Sequence, residues 1–136
     1  MDELFRTFRI SSAGMKVQGA RLRVISENIA NADSLPTGPA DQPYRRKTVT
    51  FRNALDRATG VETVRVHRID TDRTEFEKRY VPGHPAADAN GYVNTPNVNA
   101  LVEMMDMREA QRSYEANLTV IKSSCSMIEG TLDILR

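Results

Sequence analysis

The sequence has no tryptophan and a single cysteine among its 136 residues. One cysteine excludes a disulfide within the chain and a structural zinc site built from cysteines. No segment approaches the roughly 18 consecutive apolar residues that a membrane-spanning helix needs. The N-terminus, MDELFRTFRI, lacks the order of basic, apolar and small residues that a cleaved signal peptide shows. If the protein leaves the cytoplasm, we expect it to do so without a cleaved signal peptide.

The charge is nearly balanced. The chain carries 19 Lys and Arg against 18 Asp and Glu, a net charge of +1, which gives no overall attraction to nucleic acid or to an anionic membrane. The length fits one domain, or one small domain with extended arms, and excludes most large enzyme scaffolds. Basic residues are concentrated only at Arg45-Arg46-Lys47. Acidic residues nearly offset the basic ones between residues 36 and 96, so the pattern favours a solvated or subunit-facing surface over a nucleic-acid site.

Proline is absent from both ends of the chain. All six prolines lie between residues 36 and 96, and a proline inside a helix costs about 3 kcal/mol. Both ends are therefore free to form long helices. We predict an N-terminal coiled-coil helix over residues 1–35, a loop and β insert over 36–96, and a C-terminal coiled-coil helix over 97–136.

The C-terminal segment repeats apolar residues at alternating steps of four and three, with Gln111 as the one polar interruption. This 3.5-residue period, sustained over about five heptads, is typical of a coiled coil. Asn97 and Asn99 are candidate caps for the start of the helix. The repeat places Cys125 at a core position, where a thiol is normally inert. The stripe comprises Ala100, Met104, Met107, Gln111, Tyr114, Leu118, Ile121, Cys125, Ile128, Leu132 and Leu135.

The N-terminal segment repeats the same steps and adds a second apolar face, formed by Ile10, Val17 and Val24. A helix that is apolar on two faces is contacted from two sides. We expect one side to meet the C-terminal helix of the same chain and the other to meet a second subunit. Two glycines weaken this helix, so a partner is expected to order it, and Asn31, which tolerates a left-handed conformation, is expected to help end it. The first stripe comprises Leu4, Phe8, Ser11, Met15, Gln18, Leu22, Ile25, Ile29 and Ala32.

The middle segment has the pattern of strands and loops. Residues 61–69 and, over a shorter run, 47–51 are β-like. Residues 53–58 are compatible with a helical turn, and the dipeptides Pro82-Gly83 and Asn90-Gly91 predict turns.

No arrangement of residues indicates catalysis. His67 and His84 are the only histidines, too few for most zinc or iron sites. His84 and Asp88 could form a metal or acid–base site, but a loop packed by its prolines is the favoured interpretation. Phosphate-binding and nucleophile motifs are absent. We therefore expect no enzymatic activity, no cofactor and no metal ion.

These patterns predict a mainly α fold, in which the two long terminal helices form an antiparallel coiled coil around a loop and β insert. Two helices cannot bury two apolar faces each. Heterologous self-association would bury them, and such contacts build helical filaments when the rotation does not close. The sequence therefore indicates a coiled-coil subunit of an assembly.

Several motifs in the sequence are specific enough to indicate a known protein family. Ser12-Ala-Gly-Met15, followed by the segment 21–34 with Asn28-Ile29-Ala30-Asn31 at its centre, resembles the N-terminal signature of the bacterial flagellar rod and hook family. Further stretches are similar to a proximal-rod member of that family, and together the motifs cover nearly the whole chain. Ser34-Leu35 stands where relatives tend to carry threonine. The further stretches are residues 43–47, 80–93, 96–99 and 103–117.

The resemblance implies a structural subunit of the proximal rod of the basal body, which carries torque from the membrane ring through the periplasm toward the hook. It implies export by the flagellar type III apparatus. The implied partners are other copies of the chain, other rod proteins, and the membrane-ring and export-gate components at the base, with no nucleic acid and no small-molecule substrate. Two alternatives stay open: another rod protein of the same family, or a coiled-coil protein that binds nucleic acid or acts as an adaptor.

In this interpretation, interlocked helix faces carry the torque. Asn28 and Asn31 would be a polar pair that fixes the end of the helix and its contact to a neighbour. The alternative for the apolar residues is that they only bury surface within one subunit. The predicted seam and interface residues are Leu4, Phe8, Met15, Leu22, Ile25, Ile29, Met104, Met107, Tyr114, Leu118, Ile121, Ile128 and Leu132.

Overall fold

The computed structural model describes residues 2–135. In sequence order, two long helices begin and end this part of the chain, and the strands of two short sheets come between them. This order confirms the predicted terminal helices and the β insert. The longer helix has 35 residues and so measures about 50 Å. The elements are α1 (Asp2–Ala30), β1 (Lys47–Asp56), β2 (Val61–Thr71), β3 (Glu77–Tyr80), β4 (Tyr92–Thr95) and α2 (Ala100–Ile134).

The first sheet is a hairpin of β1 and β2. The predicted helical turn over residues 53–58 is wrong, because β1 continues to Asp56. The turn forms after that residue, where the Asp56 carbonyl accepts a hydrogen bond from Gly60 N at 2.8 Å. Gly60 has a φ of +65°, a conformation that glycine adopts without steric cost. The β-like runs predicted at residues 47–51 and 61–69 are confirmed.

The second sheet pairs β3 with β4 in antiparallel register, with Glu77 opposite Thr95 and Tyr80 opposite Tyr92. The two turns predicted between these strands are confirmed. Gly91 has a φ of +83°, and a Cβ added there would lie 2.9 Å from Tyr80 Cε2. Both conditions require glycine at this position.

The chain divides into two compact units. The first contains residues up to Leu22, Val49–Arg68 and residues from Arg108 onward; the second contains Arg23–Thr48 and Ile69–Met107. Each unit has its own small core. The buried residues are Ser11, Val17, Val61, Ala110 and Ser124 in the first unit, and Val24, Ile25, Asn28, Pro36, Pro43, Gly91, Val93, Pro96 and Glu103 in the second.

In the first unit, α1 is contacted from two sides. A Cβ on Gly14 would lie 2.8 Å from Asn117 Nδ2 of α2, so the Asn117 side chain packs directly against the backbone of α1 there. On another side, Arg9 forms an ion pair with Asp56 of β1 at 3.3 Å, and Val17 is only 4% exposed. The expectation that Val17 needs a second subunit is therefore wrong, since the chain itself buries it. Val24 is likewise buried within the second unit, whereas Ile10 is half exposed.

The inward face of α2 differs from the predicted stripe. Four residues belong both to the predicted stripe and to the face that the structure buries, and they are half-buried: Met107, Tyr114, Ile121 and Ile128. The fully buried positions are Glu103, Ala110 and Ser124, whereas Cys125 is exposed, so its predicted core position is wrong. Each residue turns a helix by about 100°, so the inward face is rotated by about 50° from the predicted stripe. Small and polar side chains occupy its most buried positions, whereas large apolar side chains of the predicted stripe such as Met104 and Leu132 are exposed.

The helix ends use asparagine in two ways. Asn99 caps α2, because its Oδ1 accepts hydrogen bonds from Leu101 N at 3.1 Å and Val102 N at 3.4 Å. Asn31 follows α1 and donates from Nδ2 to the Glu27 carbonyl at 2.9 Å. α1 ends at Ala30 as predicted, and it does so without a left-handed Asn31, since no non-glycine residue in 2–135 has a positive φ. Neither helix, within the described residues, is apolar enough over sufficient length to cross a membrane.

Candidate assembly surfaces

Asn28 is the centre of a buried polar network in the second unit. It lies in α1 and is 1% exposed. Its Nδ2 donates to the Lys47 carbonyl at 2.9 Å and to Glu103 Oε2 at 3.2 Å. Its Oδ1 accepts from Lys47 N at 2.9 Å and from the Tyr44 hydroxyl at 2.8 Å. The amide therefore makes all four hydrogen bonds available to it, and it joins α1 to the start of β1 and to α2.

Glu103 contributes the buried charge of this network. It lies in the first turn of α2 and is 1% exposed. Its second carboxylate oxygen, Oε1, accepts from Arg46 Nε. The same guanidinium lies 3.6 Å from Asp72 Oδ2 and 3.7 Å from Asp106 Oδ2. Burial opposes the charge of Arg46, but the hydrogen bond and charge of Glu103, with the two aspartates, raise the pKa of Arg46. A buried carboxylate is tolerated when it is paired in this way.

Asn97 extends the network to the segment after β2. Its Oδ1 accepts from Arg46 N at 2.8 Å. Its Nδ2 donates to the Asp72 carbonyl at 3.1 Å and to Thr74 Oγ1 at 3.0 Å. Asn97 was one of two candidate helix caps, and the structure gives it this bridging position instead. The segment between β2 and β3 is thereby tied to the start of β1.

The basic cluster Arg45-Arg46-Lys47 is occupied by contacts within its own unit. The Arg45 guanidinium lies over the Phe76 ring at 4.2 Å from its centroid, a cation–π contact. Lys47 Nζ donates to Glu27 Oε2 at 2.8 Å. That hydrogen bond lowers the pKa of Glu27 and raises the pKa of Lys47. With Arg46 paired to Glu103, each of the three basic side chains has a partner in the chain.

His84 and Asp88 serve as turn acceptors. His84 Nδ1 accepts from Ala86 N at 3.1 Å. Asp88 Oδ1 accepts from Asn90 N and from Tyr92 N, each at 2.9 Å, and the Tyr92 hydrogen bond is the main reason that the pKa of Asp88 is lowered. No group of three or more potential metal ligands occurs in the described part of the chain. The favoured loop interpretation of this segment agrees with these contacts.

Large apolar side chains are exposed along α2. At the start of the helix, in the second unit, Leu101, Val102, Met104 and Met105 are exposed. At its other end, in the first unit, Met127, Leu132, Ile134 and Leu135 are exposed. Large exposed apolar patches mark sites of protein–protein contact, so these two groups of side chains are candidates for contacts with other proteins.

The first unit also contains a groove of 430 Å³ between α1 and the hairpin. Phe8, Ala13 and Val17 of α1 line one side, and Val64 and Val66 of β2 line the other. Basic side chains border this apolar lining: Arg9, Lys16 and Arg65.

Comparison with known proteins gives one consistent result. The chain is 52% identical over 136 residues to the flagellar basal-body rod protein FlgC of Agrobacterium fabrum, covering 100% of this chain and 98% of that protein. It is 42% identical over 133 residues to FlgC of Salmonella typhimurium, covering 96% and 97% of the two chains. FlgC of Bacillus subtilis is 32% identical over 145 residues, with 96% and 97% covered. The chain belongs to the FlgC family of flagellar basal-body rod proteins.

A family model supports the same assignment. Residues 89–134 match the C-terminal region described for the flagellar basal body rod proteins FlgEFG. This match begins near the Gly91 turn and includes the whole of α2. The resemblance to the flagellar rod and hook family is therefore confirmed, on residues at both ends of the chain.

The residues predicted for the helix seam occupy different depths in this FlgC-family chain. Ile25 is buried. Most of the others are half-buried, and three are exposed: Phe8, Met104 and Leu132. The half-buried ones are Leu4, Met15, Leu22, Ile29, Met107, Tyr114, Leu118, Ile121 and Ile128. Of the predicted motif Asn28-Ile29-Ala30-Asn31, Asn28 enters the buried network, Ile29 is half-buried, Ala30 is exposed and Asn31 closes the helix.

The sequence interpretation missed four members of the polar network: Tyr44, Arg46, Asn97 as a bridge, and Glu103 as a buried acid. An acid in the first turn of a helix is ordinarily explained by the favourable helix dipole, which gives no reason to expect Glu103 to be buried. A signal was present, since Glu103, Met107 and Ala110 also follow steps of four and three. An acid at a heptad core position indicates a buried ion pair, and Arg46 is its partner.

Proposed function

We propose that this protein is a structural, non-enzymatic subunit of the proximal flagellar rod and that it assembles there with copies of itself and with other rod proteins. The observation that carries the proposal is the full-length similarity to flagellar basal-body rod proteins in three distant bacteria. The exposed apolar side chains of α2 support it, because an isolated subunit leaves them in water. Burying them between subunits would favour assembly.

We further infer that α1 and α2 form an antiparallel coiled coil. Two contacts of the first unit support this: Gly14 lies against Asn117, and Arg21 forms an ion pair with Glu109 at 3.5 Å. Residue numbers rise along one helix as they fall along the other. The predicted seam residues would then serve both the helix pair and the contacts to neighbouring subunits. We keep the proposed division of the chain into two coiled-coil segments, residues 1–35 and 97–136, and an insert, residues 36–96.

The function is mechanical, because a rod transmits torque only if its subunits resist shear. In the second unit, one hydrogen-bonded network joins α1, β1 and α2 through Asn28, Arg46 and Glu103. Directional hydrogen bonds between paired groups resist sliding more than apolar contacts do, because sliding leaves buried polar groups without partners. We propose that this network keeps the subunit rigid under load.

The same proposal also implies partners at the base of the rod and a route of export. Contacts to the membrane ring and the export gate would form at the base of the rod, and the chain would reach the periplasm through the flagellar type III apparatus. Another rod protein of the same family is the nearest alternative. A nucleic-acid-binding function has less support, because the basic cluster at residues 45–47 is already engaged within its own unit.

The test is an immunoblot of purified flagellar basal bodies. The tag is inserted between Asp41 and Gln42, two exposed neighbours in the loop between α1 and β1. Swimming of the tagged strain is the control that the tag is tolerated. We expect the tagged protein to copurify with the rod. If the strain swims while the tagged protein stays out of the basal-body fraction, the proposal is rejected, and DNA affinity at several salt concentrations is measured next.

A further inference from the structure

The end of α2 extends beyond α1 in the first unit. Gly14 lies against Asn117 and Arg21 against Glu109, which defines an antiparallel register. Following that register, Asp2 lies level with about residue 129, so the last turn and a half of α2 passes beyond it. The exposures agree, since Leu132, Ile134 and Leu135 are 55%, 87% and 79% exposed.

This end, residues 127–135, has a defined chemistry and is called the α2 tip. Ile128, Leu132 and Leu135 form an apolar row at helical spacing, and Glu129 and Asp133 form an acidic row beside it. These two acids are the only charged residues between 123 and 135. Neither carboxylate has an ion pair or a hydrogen bond among residues 2–135.

The groove between α1 and the hairpin has the complementary chemistry. Its lining is apolar, through residues such as Val17 and Val64. Lys16 and Arg65 border it and have no ion pair among the described residues. Arg9 is already paired with Asp56. The groove therefore presents two unpaired positive charges beside an apolar floor.

The groove and the tip also match in length. The groove follows α1 from Phe8 to Val17, about 13 Å of helix, and the α2 tip measures about 12 Å. The tip cannot fill the groove of its own chain. Leu132 lies level with a point beyond Asp2, about 20 Å along the helix axis from Ser12.

We propose that the α2 tip of one copy of this protein docks in the groove of a second copy. The apolar row contacts the groove lining, and Glu129 and Asp133 pair with Lys16 and Arg65. Because the two surfaces differ, the contact is heterologous, and repetition of a heterologous contact builds a helical array. This inference rests on the proposed rod function and names one of the contacts by which copies join.

The first test exchanges the charges. The groove variant is Lys16→Glu with Arg65→Glu, and the tip variant is Glu129→Lys with Asp133→Lys. We expect each to lower the amount of the protein in purified basal bodies at least fivefold. The chain carrying all four substitutions should recover at least half of the wild-type amount. The proposal would be overturned if the chain with all four substitutions were incorporated no better than the worse of the two double variants.

A matched control reverses charges elsewhere in the first unit. Arg57→Glu lies in the hairpin turn and Lys122→Glu on α2, and both positions are exposed and outside the groove and the tip. This double variant should change incorporation less than twofold. Circular dichroism of each purified full-length variant checks that the fold is kept, since all the altered side chains are at or near the surface.

The second test is cross-linking in assembled basal bodies. Two copies with different tags are produced in one cell, each with Cys125→Ser. One carries Leu132→Cys and the other Ser12→Cys. We expect a disulfide-linked product that contains both tags, at least fivefold above the pair that combines Leu132→Cys with Ala116→Cys.

The outcomes separate the two proposals. A product no stronger than the control, or a product that links the Leu132→Cys chain to a different protein, would overturn the docking inference alone. Absence of the wild-type protein from basal bodies would instead reject the rod function. Docking between two copies requires both the cross-link and the charge rescue.

Discussion

Asn28→Asp tests the buried network with the smallest possible change. The substitution keeps the shape of the side chain but replaces the donor Nδ2 with an oxygen. The acceptor bonds from Lys47 N and the Tyr44 hydroxyl remain. The two donor bonds, to the Lys47 carbonyl at 2.9 Å and Glu103 Oε2 at 3.2 Å, are lost. An anionic oxygen then faces a carbonyl and a second carboxylate.

The expected cost follows from these contacts. A buried polar group that loses its partner costs about 1–3 kcal/mol, and uncompensated buried charge costs about 3–5 kcal/mol. With Arg46 close enough to offset part of the added charge, we expect Asn28→Asp to lower the free energy of unfolding by about 3–5 kcal/mol. That loss is a large share of the roughly 5–15 kcal/mol that stabilises a small protein.

Urea unfolding followed by circular dichroism at two pH values measures this cost. The control is Asn31→Asp, because Asn31 donates to one carbonyl only and should lose about 1 kcal/mol. The Asn28→Asp deficit should shrink in acid, where the new carboxyl is protonated and regains one donor. The reasoning is refuted if Asn28→Asp costs no more than Asn31→Asp, or if the deficit is the same at both pH values.

Three further predictions concern the helices and one turn. Leu118→Asp should abolish rod incorporation and swimming, and normal motility would contradict its assignment to the seam. Gly14→Ala should not stabilise the protein, because its Cβ would meet the Asn117 amide at 2.8 Å. In an Asn117→Ala background the same change should add up to about 1 kcal/mol through helix propensity, and thermal unfolding compares the two backgrounds. The pKa of Asp88 lies below its ordinary 3.8, so its stabilisation is present above that pH and is lost as the pH falls through the lower folded value. Asp88→Asn should flatten this acid limb, and parallel unfolding curves would argue against the prediction.

Local features could be predicted from the sequence because their causes are local. Prolines restrict the helices to the ends of the chain, β-branched residues mark β2, and Gly91 marks a turn. The cap at Asn99 follows from its position before an apolar repeat. Each of these depends on neighbours a few residues away, so one sequence contains the information.

The inward face of α2 could not be predicted by following apolar residues. At Gly14 the amide side chain of Asn117 lies against α1, and the buried positions of α2 are Glu103, Ala110 and Ser124. Large apolar residues such as Met104 and Leu132 stand outside this contact. Hydrophobicity ranks residues by how strongly they avoid water and does not identify which partner covers them. A chain built for assembly therefore gives an apolar stripe that includes its contacts to other subunits.

The buried polar network also could not be predicted from the sequence, because its members are distant along the chain. Asn28, Arg46 and Glu103 come from three separate segments. Each is polar, and a polar residue alone is more often exposed than buried. Only the fold shows that the three meet, and with them the reason that an acid is tolerated at a buried position in α2.

The pairing of the two helices sets an order of events for a chain that emerges N-terminus first. In α1, Gly14 contacts Asn117, and Asn28 donates a hydrogen bond to Glu103; both partners lie in α2. When α1 has emerged, the β1 and β2 residues that contact it follow first, but its partners on α2 are still 75 or more residues away, so these contacts are among the most non-local that the chain can make. The side of α1 that faces α2 therefore stays uncovered until the last quarter of the chain arrives. The same final segment then contributes to both units.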